Sequence, residues 1–333
     1  MKILSPEKLR IFFSELAVVF DLRLPIQLSD GTRSIGSATD GPLAMFGGAL
    51  PAKPTSLFFP QEGVVFNQEG DTFVPPPLPE KPLFIVGFTP RDLLCLRFID
   101  RFFASEPSDD LYFRQREKAV VGAVSGYSGL DGTLLAPSGG DGDLEFIFDG
   151  ANWLIMAYSE AGRAIIAGIP GEASPEALAV INEAAANLDS SDEKLLLLAS
   201  ELLSNDLVPD SFWAEISDRC ILCTGCNLVC PTCTCFGVQD WRHADRMERS
   251  RMWDSCQLEG FMHEAGGHNP MPTEADRTRR RIHHKLAADR VRWGEISCFL
   301  CGRCDVACPT GIGIVAVVRE MVARYGLSVT VQV

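Results

Sequence analysis

The 333-residue sequence predicts three parts: an α/β domain over residues 1–175, a helical connector over 176–210, and a mainly helical, cysteine-rich domain over 211–333. Three observations predict this division. The front half alternates short apolar runs with segments of helical period, the pattern of an α/β fold. Eleven of the twelve cysteines and all five histidines lie from Cys220 onward. The charge changes at the same place: residues 1–210 hold 15 Lys and Arg against 30 Asp and Glu, whereas residues 211–333 hold 15 against 14.

The elements follow in order. Leu9, Phe12, Phe13, Leu16 and Val19 recur at helical spacing behind the start signal Ser5-Pro6-Glu7. Residues 26–80 are rich in Gly and Pro and read as loops and short extended pieces. The apolar run Leu83–Phe88 reads as a buried strand, and Thr89-Pro90-Arg91-Asp92 opens a helix behind it. Further strands are expected at 119–124, 144–148, 153–157 and 164–167, then helices near 175–187 and 192–205. The tail is short of strand patterns, and helices are expected at 276–292 and 314–325.

Composition narrows the function classes. With 46% hydrophobic and 22% charged residues the chain builds ordinary cores. No run approaches the ~18 apolar residues of a membrane span. Met1 to Arg10 lacks the apolar stretch of a secretory signal, so a cytoplasmic location is expected. The acidic front argues against nucleic acid, whose phosphates select basic surfaces. No G-x-G-x-x-G follows a strand, and no phosphate-binding G-x4-G-K-[ST], nucleophile elbow or H-E-x-x-H occurs. A self-contained active site, or a flavin or nicotinamide site on this chain, is therefore not expected.

One motif occurs twice. Cys220-Ile-Leu-Cys223-Thr-Gly-Cys226-Asn-Leu-Val-Cys230-Pro231 recurs 78 positions later as Cys298-Phe-Leu-Cys301-Gly-Arg-Cys304-Asp-Val-Ala-Cys308-Pro309. Both copies read C-x2-C-x2-C-x3-C-P, which predicts two [4Fe–4S] clusters. Three close cysteines wrap three corners of a cube, and the fourth, ahead of a proline, reaches the other cube. Cys220, Cys223, Cys226 and Cys308 are thus assigned to cluster 1, and Cys298, Cys301, Cys304 and Cys230 to cluster 2. The competing reading is structural zinc, which favours separated C-x2-C pairs. The long, helix-rich gap between Cys230 and Cys298 makes the module resemble the α-helical ferredoxin domains of heterodisulfide reductases and succinate dehydrogenases. The fold class is accordingly an α/β N-terminal domain followed by an α-helical ferredoxin-like dicluster domain.

The segment between the copies carries a wider resemblance. It holds Thr232-Cys233-Thr234-Cys235-Phe236, Asp240-Trp241, Trp253-Asp254-Ser255-Cys256, Gly260-Phe261, Ala265-Gly266-Gly267-His268-Asn269-Pro270, and a basic run from Arg277 to Lys285. This ordered set resembles the beta subunit of sulfhydrogenase-type [NiFe] hydrogenases and the corresponding dicluster component of anaerobic sulfite reductase. The front agrees through Leu57-Phe-Phe-Pro-Gln-Glu62 and through strand 84–88 followed by Pro90-Arg91-Asp92. Relatives carry Pro-Cys-Asp at the last position and further cysteines around the region matching 124–135; here the front has only Cys95. The resemblance implies an electron-transfer subunit between a flavoprotein that reacts with NAD(P)H and a metal-containing catalytic subunit.

Three cysteines remain over. Cys233, Cys235 and Cys256 are either buried neighbours that tune the first cluster or ligands of a further site with His243, His263 or His268. In the second case the chain is an enzyme subunit with its own redox site. Arg277, Arg279, Arg280, Arg281 and Lys285 form a solvated helix face, offset the clusters' negative charge or dock an acidic partner. Trp213, Trp241, Trp253 and Trp293 are expected to pack around the clusters, and His283 and His284 to be surface or packing residues.

Overall fold

The protein, as a computed structural model, is described over residues 1–328, and the chain divides into two compact units. Unit 1 comprises residues 1–59 and 77–188, and unit 2 comprises 60–76 and 189–333. In chain order, β1 (Lys2–Leu4), α1 (Pro6–Val19), β2 (Asp21–Gln27) and β3 (Arg33–Gly36) begin unit 1. The chain then leaves it for a hairpin, β4 (Glu62–Glu69) and β5 (Thr72–Val74). Unit 1 resumes with β6 (Leu83–Phe88), α2 (Pro90–Phe103), α3 (Asp110–Arg116), β7 (Val120–Gly126), β8 (Leu144–Phe148), β9 (Trp153–Ala157), α4 (Glu160–Ile166) and α5 (Pro175–Ala186).

Seven of these strands form one mixed sheet in the order β1-β9-β8-β7-β6-β2-β3, parallel from β2 through β8 and antiparallel at its margins. Every residue of β6 and β7 is buried, because both faces of the parallel centre are covered. Period-2 alternation sends Phe146 and Ile155 to the face under α1, where Leu9, Phe12 and Phe13 pack, and sends Ile147 and Leu154 to the face under Ile181 of α5. Thr89 and Asp92 form a reciprocal cap on α2, so Pro90-Arg91-Asp92 acts here as a helix start. Cys95 lies in the core of the same helix.

The strand expected at 164–167 is the end of α4. Ser159 accepts from Gly162 N and starts a helix there, and a four-residue apolar run carries no period to tell the two apart. The expected connector is also divided. Helix α5 packs on the sheet of unit 1, whereas α6 (Ser191–Ser204) belongs to unit 2.

Unit 2 continues with α7 (Asp210–Ser217), α8 (Gly225–Leu228), β10 (Phe236–Arg242), β11 (Met247–Trp253), α9 (Glu274–His283), α10 (Asp289–Trp293), α11 (Arg303–Ala307) and α12 (Ile314–Tyr325). Its core gathers Leu202, Phe212, Trp213, Ile216, Ile282, Leu286, Val317 and Met321, and Cys220, Cys298, Cys304 and Cys308 pack against it. The tail is not purely helical. Strands β10 and β11 join the hairpin from residues 60–76 in a four-stranded antiparallel sheet, β10-β11-β4-β5. Polar residues such as Gln239, Arg249 and Glu248 mask the alternation that would have marked these strands. No helix among the described residues is long and apolar enough to cross a membrane.

Candidate metal centres

The two cysteine motifs fold alike. In the first loop Leu222 and Thr224 take left-handed backbone angles (φ 53° and 61°); in the second Leu300 and Gly302 do the same (φ 55° and 75°). Such residues turn successive backbone N–H groups to one side and form a cavity for negative charge. Three of the four are not glycine, and each such residue is strained by about 1–3 kcal/mol, which persists where the surroundings over-determine it. A one-turn helix follows each loop, α8 after the first and α11 after the second, with the third cysteine in its opening turn.

The motif thiols lie close enough to act on one another's charge. Cys226 is within electrostatic reach of Cys220, Cys223 and Cys308. Cys298 is within such reach of Cys230 and Cys301, and Cys304 of Cys230. The fourth cysteine of each motif is thus within electrostatic reach of cysteines of the other: Cys308 of Cys226, and Cys230 of Cys298 and Cys304. Among the described residues no three His, Cys, Asp or Glu side chains close around a single ion. Burial pushes the Cys298 thiol up to about 12, and burial also raises Cys226 and Cys304. Thiolate in these positions therefore needs bound positive charge, so loading releases protons.

The symmetry extends past the proline. Thr232 Oγ1 lies 3.4 Å from Cys230 Sγ, and Thr310 Oγ1 lies 3.5 Å from Cys308 Sγ. Both copies read Cys-Pro-Thr, so this signal was present in the sequence. The residue after the third cysteine is a second shared feature. Asn227 is buried and donates through Nδ2 to Ser255 Oγ (2.9 Å) and Cys256 Sγ (3.2 Å). Its counterpart Asp305 accepts from Val315 N (3.1 Å) and Ala316 N (3.3 Å), which caps α12.

Gly313 opens α12 directly against Asp305, and a Cβ there would fall inside Asp305's side chain and backbone. Gly313→Ala should therefore push α12 off α11, which carries Cys304. A loss of at least ~1–3 kcal/mol is expected for such overpacking. Lower iron content and an earlier denaturation midpoint than in the parent protein would register it; an unchanged midpoint would show that α12 is not held there.

The surplus cysteines form two thiol pairs. Cys233 meets Cys230, and Cys235 meets Cys256. The contact with Cys235, outweighing burial and helped by Asn227, holds the Cys256 thiol down to about 6. His243 lies beside Glu248 and His268 beside Glu264, and no three-residue metal site with His243, His263 or His268 forms among the described residues. His284 instead pairs with Asp289 at 3.3 Å. Trp213 belongs to the core, but Trp241 is exposed.

The basic run also divides. Arg279 is paired at the surface with Asp206 and Asp210, while Arg277, Arg281 and Lys285 are buried. The helix expected over 276–292 is interrupted by a wider π turn at His284–Ala288. Within that turn the carbonyls of Lys285 and Leu286 accept from Ser297 N (2.9 Å) and Ser200 Oγ (2.5 Å).

Residues 219–312 match the family model of the 4Fe-4S dicluster domain. Over 258 residues the chain is 30% identical to sulfhydrogenase 2 subunit beta of Pyrococcus furiosus, covering 73% of this chain and 74% of that protein. The chain belongs to the sulfhydrogenase beta-subunit family. As a member it is an iron–sulfur protein with two [4Fe–4S] clusters and an electron-transfer role in oxidoreduction. No solved structure matches it.

Proposed function

We propose that this beta-subunit relative relays single electrons from or to a flavin-containing, NAD(P)H-reactive partner on one side and a metal-containing catalytic partner on the other, within a hydrogenase-type complex. In this reading Cys220, Cys223, Cys226 and Cys308 hold cluster 1, and Cys298, Cys301, Cys304 and Cys230 hold cluster 2. The observation that supports it is the closeness of fourth cysteines to the other motif's thiols, Cys308 to Cys226 and Cys230 to Cys298 and Cys304. Four thiolates close the coordination of a cubane, so it exchanges electrons and offers no open iron to a substrate. The relative's name, a subunit beta, supports a place in an assembly.

The test is anaerobic isolation from the native host. The chain should co-purify with a flavoprotein and a metal-containing catalytic protein. Alone, it should accept electrons from a low-potential donor without turning over NAD(P)H, hydrogen or sulfite. Unaided NAD(P)H-dependent catalysis by a lone monomer would end this reading. A second reading is favoured by the Cys235–Cys256 thiol contact, which would give the chain a redox site of its own. Turnover by the isolated chain that Cys256→Ser abolishes would establish it.

A further inference from the structure

Helix α9 and the π turn after it carry two cations into unit 2 that cluster ligation does not use. Arg281 and Lys285 are one turn apart, and each is only 5% exposed. A buried charge without a counter-charge is among the costliest features a fold can contain. Burial works against both charges, yet the surrounding thiolates outweigh it and hold both side chains protonated.

Their hydrogen bonds place them differently. Arg281 Nη1 donates to Ile312 O at 3.4 Å, and Ile312's own N–H donates to Cys308 Sγ at 3.3 Å. Arg281 Nη2 is buried with no partner. The thiols that act on this guanidinium are Cys226 of the first motif and Cys304 of the second, then Cys233 and Cys230. Lys285 Nζ donates to Thr232 Oγ1 at 2.7 Å, and that hydroxyl lies on Cys230 Sγ and donates to Ser297 O at 2.8 Å. The ligand thiols that act most strongly on Lys285 are Cys230 and Cys298.

We propose that Arg281 is a positioning residue shared by both clusters, its open Nη2 donating to cluster sulfur, while Lys285 acts on the Cys298 cluster alone. Reduction adds one negative charge to a cubane, so a fixed positive donor at low dielectric favours the reduced form and raises the potential. Arg281 would therefore lift both potentials together, and Lys285 would set the difference between them. That difference sets on which of the two clusters a single electron rests. The inference rests on the two-cluster reading above, and the confinement of Lys285 to one cluster rests also on Cys230 completing the Cys298 cluster.

The experiment is an EPR-monitored potentiometric titration of holoprotein, with each signal assigned beforehand by Cys220→Ser and Cys298→Ser. Arg281→Gln should make both clusters at least tenfold harder to reduce, about 59 mV for one electron. Arg281→Lys, which keeps the charge but not the planar donor, should lower both by less. Lys285→Gln should lower only the potential of the Cys298 signal. If Arg281→Gln does not load iron, Arg281→Lys decides alone. Potentials that stay put in the Arg281 variants, or a shift confined to one cluster, would overturn the shared role. A Lys285→Gln shift in the Cys220 signal would overturn the division of labour. A failed crossed assignment would appear in the Cys308 and Cys230 variants; it would remove the division of labour and leave the Arg281 outcomes readable, because Cys226 and Cys304 belong to different motifs.

Discussion

Cys308→Ser should disturb the same reduced-cluster EPR signal as Cys220→Ser and leave the signal that Cys298→Ser disturbs. The two positions are 88 residues apart in sequence, yet Cys226 is within electrostatic reach of both Cys220 and Cys308. Losing one corner thiolate opens an iron, so conversion or loss of that cluster is expected, on the order of four of about eight irons. Cys308 is the better probe of the crossing, because Cys230 has the Cys233 thiol against it as a ready substitute. A Cys308→Ser protein in which only the Cys298 signal changes would refute the crossed assignment.

The second large effect is expected on removing iron. Unit 1 has its own seven-stranded sheet and core. In unit 2, Cys220, Cys298, Cys304 and Cys308 pack against the core itself, and the strained loops at Leu222, Thr224 and Leu300 are favoured by what they hold. Apo-protein should therefore unfold in unit 2 and stay folded in unit 1. The hairpin at residues 60–76 belongs to unit 2, so it should become protease-sensitive along with the tail. Limited proteolysis of apo-protein should leave a core ending near residue 188 and nicked within 60–76, its two pieces remaining together. Equal resistance of both units, or their simultaneous digestion, would contradict this, and holoprotein should show neither cut.

The site was more legible in the sequence than the fold was. The eight ligand candidates could be read because cubane ligation imposes a fixed local spacing, and a doubled motif of that length is hard to produce by chance. The strands at 83–88, 144–148 and 153–157 were readable because the centre of a covered sheet needs nearly continuous apolar runs. The error at 164–167 arose where four apolar residues fit either period and a serine cap decided the matter. The helix after residue 274 was visible, but its π turn was not. That turn is fixed by carbonyl partners at Ser200 and Ser297, one of them 86 residues away.

What the sequence determined by itself is the local chemistry: two cubane-binding loops, the prolines that follow them, the acidic front, and the absence of a nucleotide-phosphate motif. These properties need only spacing and residue type. The tertiary structure alone decided that the 60–76 hairpin completes the sheet of unit 2, and that Arg281 and Lys285 are buried while Arg279 is not. A basic run looks the same in sequence whether it faces water or thiolates. Its meaning is set by what packs on each face of the helix, and those partners come from residues 206–232 and 289–312, brought together only when the chain closes on itself.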